Sequence, residues 1–172
     1  MKRIIVDSSS LIYSAFFTTG SLSYDGKDTG IIYGFLRKVL RIGEKFKTNK
    51  FYFCFDHRIN YREKIYPEYK ANRNNRKKEM TDIEKQQKQS RIKQTDELRE
   101  KVLYRLGFKN IYYQEGYESD DLMALLAIAL LVVSDNSASG KPLVGRNQKD
   151  QQAYDDARKQ ILPNLIYKIC EL

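Results

Sequence analysis

Asp7, Asp56 and the trio Glu118, Asp120 and Asp121 are the residues whose type and placement point to chemistry. Each acid or acidic cluster follows a short apolar, strand-like run, at residues 4–6, 51–55 and 109–114. Carboxylates brought within a few ångströms repel, and one of them takes up a proton unless a cation sits among them. Hard divalent cations meet that need, and Mg²⁺ is commonly shared between one or two carboxylates and a phosphate. In a helix starting near Ser119, Glu118 and Asp121 stand one turn apart on one face, with Asp120 about 100° away. The cluster therefore offers two ligands to one ion and a third to a neighbouring ion or an ordered water. A competing reading gives Ser119, Asp120 and Asp121 to helix capping and the macrodipole, effects of about 1 kcal/mol or less each. Capping explains one cluster and leaves the acids at the other strand ends unexplained.

Strands that alternate with helices imply an α/β fold with a parallel sheet, whose ligand crevice lies at the carboxyl ends of the strands. All three acidic positions then converge on one edge. The first strand is followed by Ser8, Ser9 and Ser10 and an apolar helix. Residues 18–26, with Thr18, Thr19, Gly20, Ser21 and Gly26, read as loop. Residues 30–46 have helical spacing at Ile32, Phe35, Leu36, Val39, Leu40 and Phe46. From 58 to 101 apolar residues are sparse, with 14 Lys or Arg against 8 Asp or Glu, so this stretch is expected to project as a basic arm. Its second half, from about Thr81, is helix-compatible, and Leu98, Val102, Leu103 and Leu106 restore an amphipathic face before Gly107. After the acidic helix begins, residues 130–134 fit either its continuation or a strand. A parallel crossover needs about a dozen residues, and the ten from Asp121 to Leu130 contain no Gly, Pro or polar turn.

The 172 residues suit one domain, and a net charge of +9 with a pI near 9.4 favours a polyanionic partner, nucleic acid or an anionic membrane surface, over plain solubilisation. In YPEYKANR, residues 66–73, two Tyr alternate with Lys70 and Arg73, placing stacking faces beside phosphate-binding charges. Arg76, Lys77 and Lys78 follow. A solvated helix face is the alternative for such a run. Cys54 and Cys170 lack zinc-ligand spacing and read as buried thiols in a reducing compartment, and His57, the sole His, reads as a loop residue. The N-terminal apolar run is too short for a signal peptide. The longest apolar run, residues 122–133, would span about 18 Å as a helix, short of a hydrocarbon core of roughly 30 Å.

The segments IIVDSSSLIYSAFF, FCFDHRINYREKIYPEYKANR and GYESDDLMALLA together resemble the 5′ nuclease family: phage flap endonucleases and 5′-3′ exonucleases, and the N-terminal nuclease domain of bacterial DNA polymerase I. The resemblance covers residues 3–127. It implies a PIN-like α/β domain, a parallel sheet flanked by helices, with a basic helical arch at about 58–101. It implies that Asp7, Asp56, Glu118, Asp120 and Asp121 bind metal and act in catalysis, with Lys70 and Arg73 approaching the scissile phosphate. Arg62, Tyr69, Lys70, Arg73, Arg76, Lys77 and Lys78 are the implied DNA contacts. The implied cofactor is Mg²⁺ or Mn²⁺, two ions in the complete family site, and the implied partner is DNA with 5′ ends, flaps or nicks, in DNA replication in a phage-infected or bacterial cytoplasm.

The family pattern places a further aspartate pair after the acidic helix, where LLVVSDNSASG supplies Asp135 but Ser137 in the second place. The expectation is a nuclease domain over 1–134 and a divergent tail, loop plus helix, over 135–172, in a chain truncated or diverged, with a second polypeptide able to supply the missing half. Asp155 and Asp156 are distant acids in a polar stretch. Three functions compete: a metal-dependent 5′-3′ exonuclease or flap endonuclease, a catalytically impaired DNA-binding fragment of one, and a PIN-like endoribonuclease.

Overall fold

Ile4, Ile5 and Val6 form an apolar run closed by Asp7, and in the computed structural model they make strand β1 (Ile4–Asp7), which passes directly into helix α1 (Ser8–Thr19). The structure describes residues 2–69 and 80–138. After α1 the chain turns through an antiparallel hairpin, β2 (Ser23–Tyr24) and β3 (Lys27–Asp28). At its tip Asp25 and Gly26 have φ of 50° and 69°, the left-handed pair that a two-residue hairpin turn requires and that Asp-Gly supplies. The reading of this stretch as plain loop is thereby corrected. Strands of two residues are too short to show an alternation.

Helix α2 (Gly30–Phe46) turns Ile31, Phe35 and Val39 inward at i, i+4 spacing, while Leu40 and Phe46, grouped with them by spacing, are exposed. It lies close along α1. A Cβ on Gly34 would stand 2.2 Å from the Thr19 hydroxyl and 2.9 Å from the Ala15 methyl. Then follow β4 (Phe51–Cys54), α3 (Tyr61–Ile65), α4 (Asp82–Glu97), a π-helical turn (Leu98–Val102), α5 (Leu103–Arg105), β5 (Ile111–Tyr112) and α6 (Ser119–Ala138).

The sheet has the order β1–β4–β5 and is parallel throughout, with Asp7 beside Cys54 and Cys54 beside Tyr112. Its core joins Val6, Phe51, Phe53 and Phe55 to Ile12, Ile31, Phe35, Leu98 and Leu103. The π turn carries one extra residue per turn, so Leu98 and Leu103, five apart, both reach that core. Leu106, assigned to the same face by spacing, is exposed.

The stretch expected to project as an arm does not stand free along its length. Gln94, near the end of α4, is 2 % exposed, and its Oε1 accepts the Ile31 N–H at 3.0 Å. Its amide nitrogen donates to Ser90 Oγ at 3.1 Å, so a helix with almost no apolar face docks on α2 through one satisfied amide. At the other doubtful position, residues 130–134 are helical, because α6 continues to Ala138.

The chain divides into two compact units, Met1–Met123 and Ala124–Leu172. The first holds the sheet and helices α1 to α5. Of the second, the described part is the continuation of α6. No helix among the described residues is long and apolar enough to cross a membrane.

Candidate active site

Asp7 ends β1 and caps α1, its Oδ1 accepting the Ser10 N–H at 3.0 Å. The same oxygen accepts the Ser119 hydroxyl at 3.0 Å, and the Ser119 N–H donates to Asp56 Oδ1 at 2.7 Å. Ser119, 4 % exposed, thus bridges the acids that follow β1 and β4. The Asp56 N–H in turn donates to Ser9 Oγ at 3.0 Å, fixing that acid from its backbone as well. Ser119 was assigned by sequence to capping alone. The sign of its larger role is a small hydroxyl set between acids on the first turn of a helix.

Glu118 and Asp121 form a second pair. Asp121 Oδ2 accepts the Glu118 N–H at 3.0 Å, the backward reach of a capping box, so the capping reading and the clustering reading are realised by one residue. Arg62 donates from Nη1 to Glu118 Oε2 at 3.1 Å and from Nη2 to Asp121 Oδ1. The Tyr69 hydroxyl donates to Glu118 Oε2 at 2.9 Å, and the guanidinium lies 5.8 Å from the Tyr69 ring centre. The Tyr69 hydroxyl, then the Asp121 charge, push the Arg62 guanidinium further above its usual range.

Local backbone chemistry delivers Arg62 to this place. Asn60 caps α3, its Oδ1 accepting the Arg62 N–H at 2.8 Å, and Asn60 bridges Gly116 in a parallel pairing. The Tyr61 N–H donates to the Gly116 carbonyl at 3.1 Å. Gly116 has φ +85°, and a Cβ there would lie 2.2 Å from the Tyr61 ring. Only glycine lets GYESDD and the start of α3 approach this closely.

Asp120 is exposed and belongs to neither pair. His57 is a loop residue, its Nδ1 accepting the Ile59 N–H at 3.1 Å. Asp135 falls on α6, with its side chain outside those described, and Lys70, Arg73, Arg76, Lys77, Lys78, Asp155 and Asp156 lie outside the described residues. Beside the site, burial first and Asp7 second push the Cys54 thiol up to about 12, which leaves it a buried, inert thiol.

The acids therefore stand as two pairs, one joined by Ser119 and one by Arg62. Among the described residues no three His, Cys, Asp or Glu side chains converge closely enough to hold one ion. The donor chemistry, carboxylate oxygen throughout, fits a hard divalent cation.

A family model described as the 5′-3′ exonuclease N-terminal, resolvase-like domain matches residues 2–137. The chain belongs to this family. This resolvase-like domain is 35% identical over 128 residues to a DNA polymerase I of Caldicellulosiruptor bescii, an alignment covering 73% of this chain and 14% of that protein. It is 32% identical over 130 residues to a 5′-3′ exonuclease of Buchnera aphidicola subsp. Acyrthosiphon pisum, covering 74% of this chain and 41% of the relative. A DNA polymerase I of Chloroflexus aurantiacus is 32% identical over 127 residues, covering 72% of this chain and 12% of its own. The domain thus spans less than half the length of each of these relatives. No solved structure matches it. The α/β class expected from sequence, a parallel sheet flanked by helices, is the class of this resolvase-like domain.

Proposed function

We propose that this domain hydrolyses phosphodiester bonds of DNA from 5′ ends, as a metal-dependent exonuclease that also acts at flaps and nicks. The observation that carries the reading is the pairing of Asp7 with Asp56 and of Glu118 with Asp121 at one end of a parallel sheet, in a chain of this family. Asp7, Asp56, Glu118, Asp120 and Asp121 would hold Mg²⁺ or Mn²⁺. A bound divalent ion supplies a water of lowered pKa and charge stabilisation for the leaving oxygen.

The chain's own residues prepare that site. Asp7 and Asp121 each accept a backbone N–H at a helix start, and Asp56 accepts the first N–H of α6, which fixes the direction of all three carboxylates. Ser119 fixes the directions of Asp7 and Asp56. Tyr69 orients Glu118. Lys70 follows Tyr69 directly in sequence and Arg73 stands four positions after it, a nearness along the chain that supports their assignment to the phosphate.

The test is cleavage of a 5′-labelled flap duplex with Mg²⁺ or Mn²⁺, against Ca²⁺ and EDTA. Product in Mg²⁺ or Mn²⁺ alone is the expected result. DNA binding in Ca²⁺ with no cleavage in any metal would replace the proposal with a DNA-binding domain, and preference for single-stranded RNA would replace it with an endoribonuclease.

A further inference from the structure

One cation already sits between two of the acids, and it belongs to the protein. Arg62 reaches from α3 with its two Nη atoms on different carboxylates, Glu118 and Asp121. Those side chains are only 15% and 24% exposed, so the pair would repel strongly if left without a counter-charge. The Arg62 side chain is 44% exposed, which gives its guanidinium a path into solvent by side-chain rotation. The backbone of α3 need not follow, because Asn60 and Tyr61 are held to Gly116 independently of the guanidinium.

Resting on the metal-dependent reading above, we propose that Arg62 is a displaceable internal cation, closing the Glu118–Asp121 pair until a divalent ion takes it and so lowering the metal affinity of the site. Asp121 has both oxygens engaged in the closed state, Oδ1 by Arg62 and Oδ2 by the Glu118 N–H. Glu118 Oε2 receives Arg62 and Tyr69 together. An ion that takes Glu118 Oε2 and Asp121 Oδ1 must therefore replace the guanidinium on both carboxylates. When only the open form binds, the apparent affinity falls by the open fraction, so a latch closed nine-tenths of the time weakens binding about tenfold. The fork matters as much as the charge: guanidinium spans two carboxylates with fixed geometry, which an ammonium does not.

Calorimetric titration of Mn²⁺ into the full chain tests this, with Arg62→Ala, Arg62→Lys and, as a charge control, Arg58→Ala, whose parent pairs with Asp96 away from these acids. Circular dichroism verifies the fold of each variant, and Arg62→Lys retains stem and charge should Arg62→Ala fail to fold. Arg62→Ala is expected to bind Mn²⁺ about tenfold tighter and Arg62→Lys about fivefold tighter, with Arg58→Ala unchanged. Equal affinity in all four proteins would overturn the latch and leave the metal site standing. Tighter binding by Arg62→Ala with Arg62→Lys at the wild-type value would also overturn it, reducing Arg62 to a through-space charge. No Mn²⁺ binding by any of the four would remove the metal reading itself.

Discussion

Ser119 lies between two acids in the sequence and joins two others in space. Its hydroxyl bond to Asp7 is half-buried, and Ser119→Ala leaves Asp7 oriented by the Ser10 N–H. We expect a loss of about 1 kcal/mol in stability, read as a lower urea midpoint; an unchanged midpoint would show that the hydroxyl does not hold Asp7. Asp7 and Asp56 were legible because each closes an apolar run, and the Glu118–Asp121 cluster because it concentrates negative charge in a basic chain. Their partners were not. Arg62 could be named as basic and near the site, yet nothing in YREK says that its guanidinium lies between Glu118 and Asp121, because the Asn60–Gly116 bridge that aims it joins segments over fifty residues apart.

Two elements show where periodicity helps and where it fails. The extent of helix α2 was legible because its apolar residues recur at the helical period, although its buried face follows only part of that stripe: Phe35 and Val39 are buried, Leu40 and Phe46 are not. Helix α4 carries no such stripe, and its buried bond to α2 is made by Gln94, a polar residue that sequence patterns place outside, with Ser90 on Asp28 and Arg91 over the Tyr13 and Phe16 rings beside it. Gln94→Ala would leave the Ile31 N–H buried and unpaired. The expected cost is about 1–3 kcal/mol, measured by thermal or urea unfolding, with Gln94→Glu intermediate because its carboxylate still accepts from Ile31 but loses the bond to Ser90. A cost no larger than that of an exposed Gln→Ala change on the same helix, such as Gln86→Ala, would show that α4 is not docked through this amide. The shared face of Leu98 and Leu103 was legible, but the π turn that aligns them was not, because five-residue spacing also fits a broad α-helical face.

At the scale of the molecule, a strongly basic chain gathers five of its 22 acids beyond one end of its sheet, beside the buried Cys54 thiol and the half-buried Tyr112 phenol. Burial first, with Tyr52 and Cys54 adding, pushes Tyr112 up to about 12, as burial and Asp7 do Cys54. Both groups hold their protons more tightly folded than unfolded, so unfolding releases protons in alkali. Their contribution is complete below about pH 9 and is lost as the pH rises toward about 12. The urea midpoint is expected to fall between about pH 8 and about pH 10.5, and a flat profile would contradict the tighter hold of the folded chain on both protons. The claim on which everything else depends is that the paired acids perform hydrolysis, and the most direct measurement compares the chain with Asp7→Asn. Single-turnover cleavage of a 5′-labelled duplex in Mg²⁺ is set beside DNA affinity in Ca²⁺. The account predicts cleavage reduced about a thousandfold with affinity changed no more than about threefold. Cleavage retained by Asp7→Asn, or lost only in proportion to DNA binding, would contradict it.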